Sequence, residues 1–485
     1  MYKNGNILIG RNESGDATLL LNKANRHGLI TGASGSGKTI TLKVLAESFS
    51  EAGVPVFLSD IKGDLASLIK PGSIETISSR LESLNITDFE VKGFPVTFLD
   101  VYSKNGSPIR TTVKSIGAKL LARMLDLTDA QEGVLAITFK IAQDEGFDLI
   151  DLKDLKAMLT YVGEKRKEYS LTYGNVTLQS IGSIQRNILS LETEGGDYFF
   201  GLPAFNIKDL IHFDVNTGYG NINILDAQTL FQKPTLYATF MLWMLNSLYN
   251  ELPEVGDTVK PKLVFFFDEA HLLFDSMPDH LVKQIIQIVK LIRSKGVGLY
   301  FISQSPGDIP DEILAQLGNR FQHVLRSYTP SDEKVIKAAS DSFRKNENFN
   351  TIDAIKTLKT GEALISLQNE NGEPTIVDKF TILPPQSKIG TIEQSEREIH
   401  IKSNWLYGKY ENTLEYTKTS DIITKILSKK ENEIELEKEK KETNQNKKTS
   451  TKKSTMEKAT ERMITNTASS FGRKLGNSLF KNLFK

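Results

Sequence analysis

One stretch decides the fold of this chain, Gly32-Ala33-Ser34-Gly35-Ser36-Gly37-Lys38-Thr39. It fits the pattern G-x-x-x-x-G-K-[ST] in full, which is the pattern of a phosphate-binding loop, or P-loop. Its glycines let the backbone curl tightly, so that N–H groups and the start of the following helix converge on phosphate oxygens. In such a loop the lysine reaches the β- and γ-phosphates, and the threonine hydroxyl binds Mg²⁺. The stretch predicts a site for ATP and Mg²⁺ that extends to the next residue, Ile40.

The segments on either side of this loop have the pattern that a P-loop requires. His27–Thr31 is a compact apolar strand candidate directly before it, and Thr39–Ala52 follows with apolar residues at helical spacing. Val54–Leu58 is the next candidate for a buried strand. A strand, a loop, a helix and a strand in this order form a βαβ unit, which implies a parallel sheet. This context disfavours the alternative, a glycine turn that matches the pattern by chance.

An acidic pair follows a second apolar run. Leu263–Phe267 is wholly apolar, as in a central strand of a parallel sheet, and it delivers Asp268 and Glu269 to the carboxyl end of that strand. Ligands bind at this edge in open α/β sheets. We expect Asp268 to hold Mg²⁺ together with Thr39, and Glu269 to act as the general base that polarises the attacking water. Without the P-loop, the pair would fit an ordinary exit from strand to loop equally well.

Two further polar positions are candidates for catalysis. Gln304 follows the strand candidate Gly298–Ser303 and can sense the γ-phosphate or orient the water, although it also fits a polar strand cap. Phosphoryl transfer gains from an arginine that a neighbouring subunit supplies. Arg293, which closes a helical segment, is the first choice for that role and Arg320 is the second. The competing interpretation of each is a surface arginine at a helix end.

Composition limits the other classes of function. The 485 residues include 60 basic and 60 acidic side chains, and this balance neither indicates nor excludes nucleic acid. The lack of cysteine excludes disulfides and cysteine-ligated metals. The longest apolar stretches fall well short of the roughly 20 residues of a membrane span, and no secretory signal follows Met1. We therefore expect a cytoplasmic protein without stable membrane insertion.

Changes in pattern along the chain predict its domain organisation. We expect a short β-rich N-terminal segment at 1–26, an ATPase core at 27–113 and 196–385, a helical insertion at 114–195, a C-terminal extension at 386–427, a charged linker at 428–453 and a basic amphipathic helix at 454–485. The linker has almost nothing to bury, so it is either a solvated helix or disordered. The last helix has the composition to lie on a membrane or on nucleic acid, but docking on its own core or on a neighbouring subunit is favoured.

Several segments together resemble the HerA–FtsK superfamily of motor ATPases, and most closely its HerA-like branch of YjgR-type proteins. The segments that carry the resemblance occur in the family's order: His27–Thr39, Asp60–Asp64, Phe266–His271, Arg293–Gln304 and Leu317–Phe321. The resemblance covers most of residues 5–385. The loop that begins Asp60-Ile61-Lys62-Gly63 also resembles the corresponding loop of the coupling ATPases that feed DNA into type IV secretion channels.

The resemblance implies a RecA-like α/β core with a mostly parallel sheet, hexameric rings, ATP sites at subunit interfaces and work on double-stranded DNA. By position it assigns phosphate and Mg²⁺ binding to Lys38 and Thr39, the second metal ligand to Asp268, the catalytic base to Glu269, the sensor to Gln304 and the trans-acting arginine to Arg293. One departure concerns the N-terminus. Archaeal HerA proteins carry a full β-barrel there, for which the about 26 residues before the P-loop strand are too few. Contacts that such a barrel makes with nucleases are therefore in doubt.

Two functions fit this pattern. The leading hypothesis is a ring-forming translocase or helicase that hydrolyses ATP to move on double-stranded DNA. The alternative is an ATPase that gates or regulates a partner protein, such as a nuclease in a defence system. No strong sequence feature separates the two. A third possibility, a coupling ATPase of transfer or secretion, is weakened by the lack of a membrane span.

Overall fold

Short apolar runs form the central strands of this protein, such as Leu263–Phe267 and Val297–Ser303. The computed structural model describes residues 1–3, 5–256, 258–275 and 279–448. Met1–Ser420 is one compact unit and the rest of the chain belongs to a second. The predicted basic helix at 454–485 lies outside the described residues. The predicted charged linker at 428–453 lies within them as far as residue 448, and this part is helical.

The strands are numbered β1 to β13 in chain order. They are β1 Tyr2–Lys3, β2 Asn6–Asn12, β3 Gly15–Leu20, β4 Gly28–Thr31, β5 Val56–Asp60, β6 Val96–Asp100, β7 Ser107–Pro108, β8 Ile222–Asp226, β9 Leu263–Phe267, β10 Val297–Ser303, β11 Asn319–Gln322, β12 Glu362–Ser366 and β13 Asp378–Ile382.

The α-helices are numbered in the same way. They are α1 Lys38–Glu51, α2 Ile74–Ser83, α3 Val113–Ile116, α4 Ala118–Met124, α5 Asp129–Asp144, α6 Leu152–Glu164, α7 Arg166–Thr172, α8 Leu178–Thr193, α9 Gly196–Phe199, α10 Pro234–Glu251, α11 His271–Asp275, α12 Asp279–Ile292, α13 Asp311–Leu314, α14 Pro330–Asp341, α15 Thr351–Thr357, α16 Gln394–Ser403 and α17 Thr419–Lys448. Short 3₁₀ helices lie at Leu21–Arg26, Leu65–Ile69, Ile207–Leu210, Leu230–Gln232, Arg293–Lys295 and Pro306–Asp308.

Within the described residues the strands form one 13-stranded sheet. Eight neighbouring strands, in the order β11-β4-β10-β9-β5-β8-β6-β7, are parallel. The antiparallel strands β12, β13 and β2 continue the sheet beyond β11, and β1 and β3 pair with β2. Together with the helices, this mostly parallel sheet confirms the predicted α/β fold class. The pairing of β2 with β13 joins the N-terminal segment to the sheet of the core.

The chain between β7 and β8 is helical and contains α3 to α9. Two of these helices begin at a capping box, which Thr128 and Gln131 form before α5 and Asp151 and Asp154 form before α6. Apolar residues at helical spacing are buried where these helices pack on α8. This region coincides with the predicted helical insertion, whose limits at 114 and 195 stay predictions.

The core of the sheet contains a run of three phenylalanines in β9. Phe265 and Phe267 point to one face, with ring centroids 4.4 Å apart, and Phe266 points to the other. On that second face Phe49 of α1 packs against Phe266 and against Tyr300 of β10. A strand that is apolar on both sides needs cover on both sides, and this explains why the run shows no alternation. Among the described residues, none of the helices combines the length and the apolar character needed to cross a membrane.

Candidate functional site

The P-loop connects β4 to α1, and its glycines adopt backbone angles that disfavour other residues. Gly32, Gly35 and Gly37 have φ values of +155°, +72° and +109°. A Cβ atom on Gly32 would lie 2.5 Å from the Cβ of His323, so the loop has no room for a side chain there. Gly37 caps the N-terminus of α1 in the left-handed region. The loop therefore folds back over the helix start in the way that phosphate binding requires.

Two backbone hydrogen bonds fix the loop from the side of β11. The N–H of Ala33 donates to the carbonyl of Val324 at 2.8 Å, and the N–H of Gly361 donates to the carbonyl of Ser36 at 3.1 Å. The hydroxyl oxygen of Ser36 is buried without a hydrogen-bond partner. A buried hydroxyl normally has a partner, so this group is suited to a ligand that the loop would enclose.

Lys38 lies within the curve of the loop. Its Nζ donates to the carbonyls of Gly32 and Ala33 at 2.5 and 3.1 Å. Burial lowers the pKa of Lys38, while the negative charges of Glu269 and Asp268 act in the opposite direction. The P-loop lysine and the acidic pair are thus brought together at one edge of the sheet. Thr39 is the next residue, in the first turn of α1.

The acidic pair follows β9 directly, and both side chains are buried. Burial raises the pKa of Asp268 to about 6, and the nearby charge of Glu269 adds to this shift. Asp268 Oδ1 accepts a hydrogen bond from the N–H of Glu269 at 3.0 Å. Glu269 itself has a φ of +46°, which is unusual for a residue other than glycine. Such a conformation persists only where neighbouring contacts hold it, and it is frequent in active sites.

Lys62, in the loop after β5, forms an ion pair with Glu269. Its Nζ lies 2.5 Å from Glu269 Oε1. Burial would raise the pKa of Glu269, but the hydrogen bond from Lys62 and the charges of Lys62, Lys38 and His271 outweigh it and lower that pKa. The other carboxylate oxygen, Oε2, has no hydrogen-bond partner and lies 3.4 Å from the Nδ1 of His271.

The carboxyl edge of the sheet holds two further acids, Asp60, which the sequence analysis quoted only as part of the resemblance, and Asp226, which it did not identify. Asp60 and Asp226 end the neighbouring strands β5 and β8 in register, and both are buried. Asp226 is paired with Arg397 of α16 at 2.5 Å, whereas Asp60 Oδ2 has no partner. Burial and the charge of Asp64 raise the pKa of Asp60 to about 7. The position of these acids at the ends of apolar strands was the signal that could have identified them.

His323 is a second residue that the sequence analysis missed. It follows β11 and is fully buried beside the P-loop. Its Nδ1 donates to the carbonyl of Glu362 at 2.9 Å, and its Nε2 lies 2.9 Å from the hydroxyl of Thr41 in α1. Burial lowers the pKa of His323 to about 4, so the ring is neutral at neutral pH. No motif marks this histidine, because the strand pairing alone brings it to the loop.

Gln304 lies at the carboxyl end of β10, which is the strand between β4 and β9. Neighbouring strands are about 4.8 Å apart, so the P-loop and the acidic pair are separated by about 10 Å, with Gln304 between them. Its side chain is exposed. The flanking residues are fixed, because Asp308 Oδ2 accepts hydrogen bonds from the hydroxyl of Ser303 at 2.5 Å and from the N–H of Ser305 at 2.9 Å.

The candidate arginines lie away from this edge or are engaged elsewhere. Arg293 precedes β10 and therefore lies at the amino edge, beside His27. Arg320 donates to the carbonyls of three residues, Leu317, Ser342 and Leu314, at 3.0 to 3.1 Å. Arg326 is exposed after β11. Within one chain, neither Arg293 nor Arg320 is therefore placed to reach a phosphate at the P-loop.

The residues at the carboxyl edge fit ATP and Mg²⁺. The glycine loop offers converging N–H groups, the hydroxyl of Ser36 lacks a partner, and Lys38 supplies a positive charge. Mg²⁺ in nucleotide sites is typically held by one or two carboxylates or hydroxyls together with phosphate oxygens. Thr39 and Asp268 provide that set of donors.

Comparison with known proteins points in the same direction. The model of the family described as "Helicase HerA-like C-terminal" matches residues 6–484. The DNA double-strand break repair helicase HerA of Sulfolobus acidocaldarius is 23% identical over 393 residues, which cover 78% of this chain and 70% of that protein. The protein of the same name from Saccharolobus solfataricus is 24% identical over 390 residues, which cover 80% and 68%.

Solved structures show the same fold at low sequence identity. The plasmid coupling protein TrwB, in complex with the non-hydrolysable GTP analogue GDPNP, superposes with a TM-score of 0.53 at 14% identity. The matched region covers 81% of this chain and 92% of that one. This likeness confirms the RecA-like fold that was predicted for the core.

Proposed function

Since this chain belongs to the Helicase HerA-like C-terminal family, we propose that it is an ATP-hydrolysing motor that forms a hexameric ring and moves on double-stranded DNA. Relatives named as DNA repair helicases align with more than three quarters of the chain. The names of these relatives suggest DNA as the substrate, and the P-loop with the acidic pair suggests ATP hydrolysis as the reaction.

The P-loop and the acidic pair have separate roles in this proposal. Lys38 and the N–H groups of the loop bind the phosphates, and Thr39 and Asp268 hold Mg²⁺. When bound, Mg²⁺ neutralises the charge that develops on the phosphate oxygens. Glu269 accepts a proton from the attacking water. The exposed amide of Gln304 lies between these groups and orients that water or senses the terminal phosphate.

One observation carries the proposal. Lys38 begins α1 after β4, whereas Asp268 and Glu269 follow β9, and the sheet brings these distant segments so close that the charges influence one another's protonation. An acid that served only to end a strand would not need to lie close to the P-loop lysine. Arg293 lies at the opposite edge of the sheet, so only a neighbouring copy could bring it to this site, and we propose that it acts there in trans.

The proposal is tested by ATPase assays with and without duplex DNA, together with a measurement of oligomer mass. We expect duplex DNA to stimulate hydrolysis, Lys38→Ala to abolish nucleotide binding, and Glu269→Gln to lower kcat by about 10²- to 10⁴-fold while ATP still binds. Lys114→Ala is the matched control, since Lys114 is an exposed lysine that pairs with Asp148.

Two results would contradict the proposal. A hydrolysis rate that is equal with and without DNA of any form excludes a DNA-driven motor and favours the ATPase that gates a partner protein. A Glu269→Gln variant that hydrolyses ATP at the wild-type rate excludes Glu269 as the general base.

A further inference from the structure

Arg80 of α2 is a half-exposed arginine close to the P-loop. Its Nη2 donates to the carbonyl of Thr360 at 3.1 Å, and no carboxylate of the described residues forms an ion pair with it. An arginine side chain stays positively charged and presents five N–H donors around a planar group. Within the described part of the chain, the guanidinium group of Arg80 therefore keeps most of its donors and its planar face available for a ligand.

A glycine turn connects Arg80 to the P-loop. The N–H of Gly361 donates to the carbonyl of Ser36 at 3.1 Å, and a Cβ atom on Gly37 would lie 3.2 Å from the same nitrogen. A Cβ atom on Gly361 would lie 2.5 Å from the Nη2 of Arg80, so only glycine leaves room for the guanidinium group there. Arg80 thus lies against the turn that borders the loop, whereas Lys38 lies within the curve of the loop.

The strand order indicates on which side of the P-loop the nucleoside of a bound nucleotide lies. Glu269 follows β9, Gln304 follows β10 and the P-loop follows β4, and these strands are neighbours in this order. β11 and β12 continue the sheet beyond β4, and Gly361 directly precedes β12, which begins at the carboxyl edge because it is antiparallel to β11. In the proposed function the terminal phosphate faces Glu269. The nucleoside then leaves the loop on the other side, toward β11 and β12, where Arg80 lies.

We propose that Arg80 binds the nucleoside part of ATP, with its guanidinium plane on the face of the base. This rests on the proposed function, because it adds a contact to the same nucleotide. A guanidinium group stacks on aromatic rings and is attracted by the electrons of their faces. The P-loop holds the phosphates, which all nucleoside triphosphates share, and Arg80 adds affinity that depends on the presence of a base.

The test compares two ligands by isothermal titration calorimetry in the presence of Mg²⁺. One is a non-hydrolysable ATP analogue, and the other is inorganic triphosphate, which lacks the nucleoside. We expect Arg80→Ala to raise the Kd of the ATP analogue about fivefold, because one cation–π contact is lost. The Kd of triphosphate should change by less than about 1.5-fold, since the P-loop is intact. Arg80→Met, which keeps most of the aliphatic stem, should give the same pair of results.

A second arginine provides the matched control. Arg166 of α7 is also half-exposed and also donates to a backbone carbonyl, that of Gly163 at 3.0 Å, but it lies in the helical region between β7 and β8. Arg166→Ala should leave the Kd of both ligands unchanged. Superimposable thermal unfolding of Arg80→Met and wild type shows that the variant is folded.

The outcomes separate this inference from the proposed function. Equal weakening of both ligands in the Arg80 variants overturns it, since Arg80 would then act on the phosphates or support the loop. Unchanged affinity for the ATP analogue also overturns it. Selective weakening of the ATP analogue, combined with a wild-type ATPase rate that is indifferent to DNA, overturns the DNA-driven motor and leaves the role of Arg80 in place.

Discussion

A buried histidine lies beside each end of the P-loop strand β4, His27 directly before β4 and His323 directly after the neighbouring strand β11, and their surroundings differ. His27, at the amino end, donates from Nε2 to the carbonyl of Val289 in α12 and accepts at Nδ1 from the N–H of Leu299 in β10, both at 3.0 Å. His323 has the opposite arrangement, with Nδ1 as the donor to a carbonyl. Each ring has two partners and is neutral, as a buried imidazole must be.

The difference lies in the neighbours of each ring. His27 joins β4 to a helix and a strand, and the positive charge of Arg293 helps to lower its pKa. His323 supports the P-loop, and the positive charge of Lys38 helps to lower its pKa. At the carboxyl edge the hydroxyl of Ser36, Oδ2 of Asp60 and Oε2 of Glu269 lack hydrogen-bond partners. His27 thus holds layers of the fold together, whereas His323 supports the loop that is proposed to bind a ligand.

The largest expected effect concerns Arg293, the one candidate catalytic residue at the amino edge. We expect Arg293→Ala to lower ATPase activity by at least about 10³-fold, because an arginine supplied in trans contributes that much. Glu269→Gln is inactive for a different reason. Mixing the two variants should restore a fraction of the activity. In mixed oligomers, a site on an Arg293→Ala subunit keeps Glu269 and receives Arg293 from a neighbouring Glu269→Gln subunit. No recovery in mixed oligomers would exclude a trans role for Arg293.

The next effect separates the two histidines by stability and by binding. We expect His27→Ala and His323→Ala each to lower the free energy of unfolding by about 3 kcal/mol, because each leaves a cavity and unpaired buried groups. In urea unfolding the two variants should be alike. Isothermal titration should distinguish them, with weaker ATP binding in His323→Ala alone. Equal ATP affinities in the two variants would contradict the contrast between the edges.

The pH dependence of stability tests the neutral state of both rings. Burial lowers the pKa of each from 6.5 to about 4. The unfolded chain therefore takes up protons first as the pH falls, so the stabilisation is complete above pH 6.5 and is lost toward pH 4. Between pH 7 and pH 5 we expect a loss of about 2 kcal/mol per histidine. Urea unfolding at pH 7 and at pH 5 should show that the free energy of unfolding falls less in His27→Ala than in the wild type. An equal fall in both proteins would contradict a neutral, buried His27.

The smallest effect is expected at the exposed tip of β10. Gln304→Ala should lower kcat by about tenfold, because the amide orients one group of the reaction. It should leave the midpoint of thermal unfolding unchanged, since the side chain is exposed. Gln316→Ala serves as the matched control, since Gln316 is another exposed glutamine. A stability loss in Gln304→Ala with normal kcat would assign Gln304 to the fold instead.

The sequence predicts the parts of this site that depend on local pattern. The P-loop, β9 and the exit at Asp268 are continuous motifs, so spacing alone identifies them. His323 and Lys62 reach the site only through the pairing of strands that are distant in sequence, which no local period encodes. The same limit applies to Arg293, whose position at the far edge becomes visible only when the strand order is known.

The continuity of the sheet has a mechanical consequence. Backbone hydrogen bonds run without a break from β7 through the parallel strands to β13 and β2. Within the described residues, one part of the sheet could therefore rotate against another only if the backbone hydrogen bonds between two strands broke. If the chain is the proposed motor, we expect the sheet of each subunit to move as one rigid body during a power stroke.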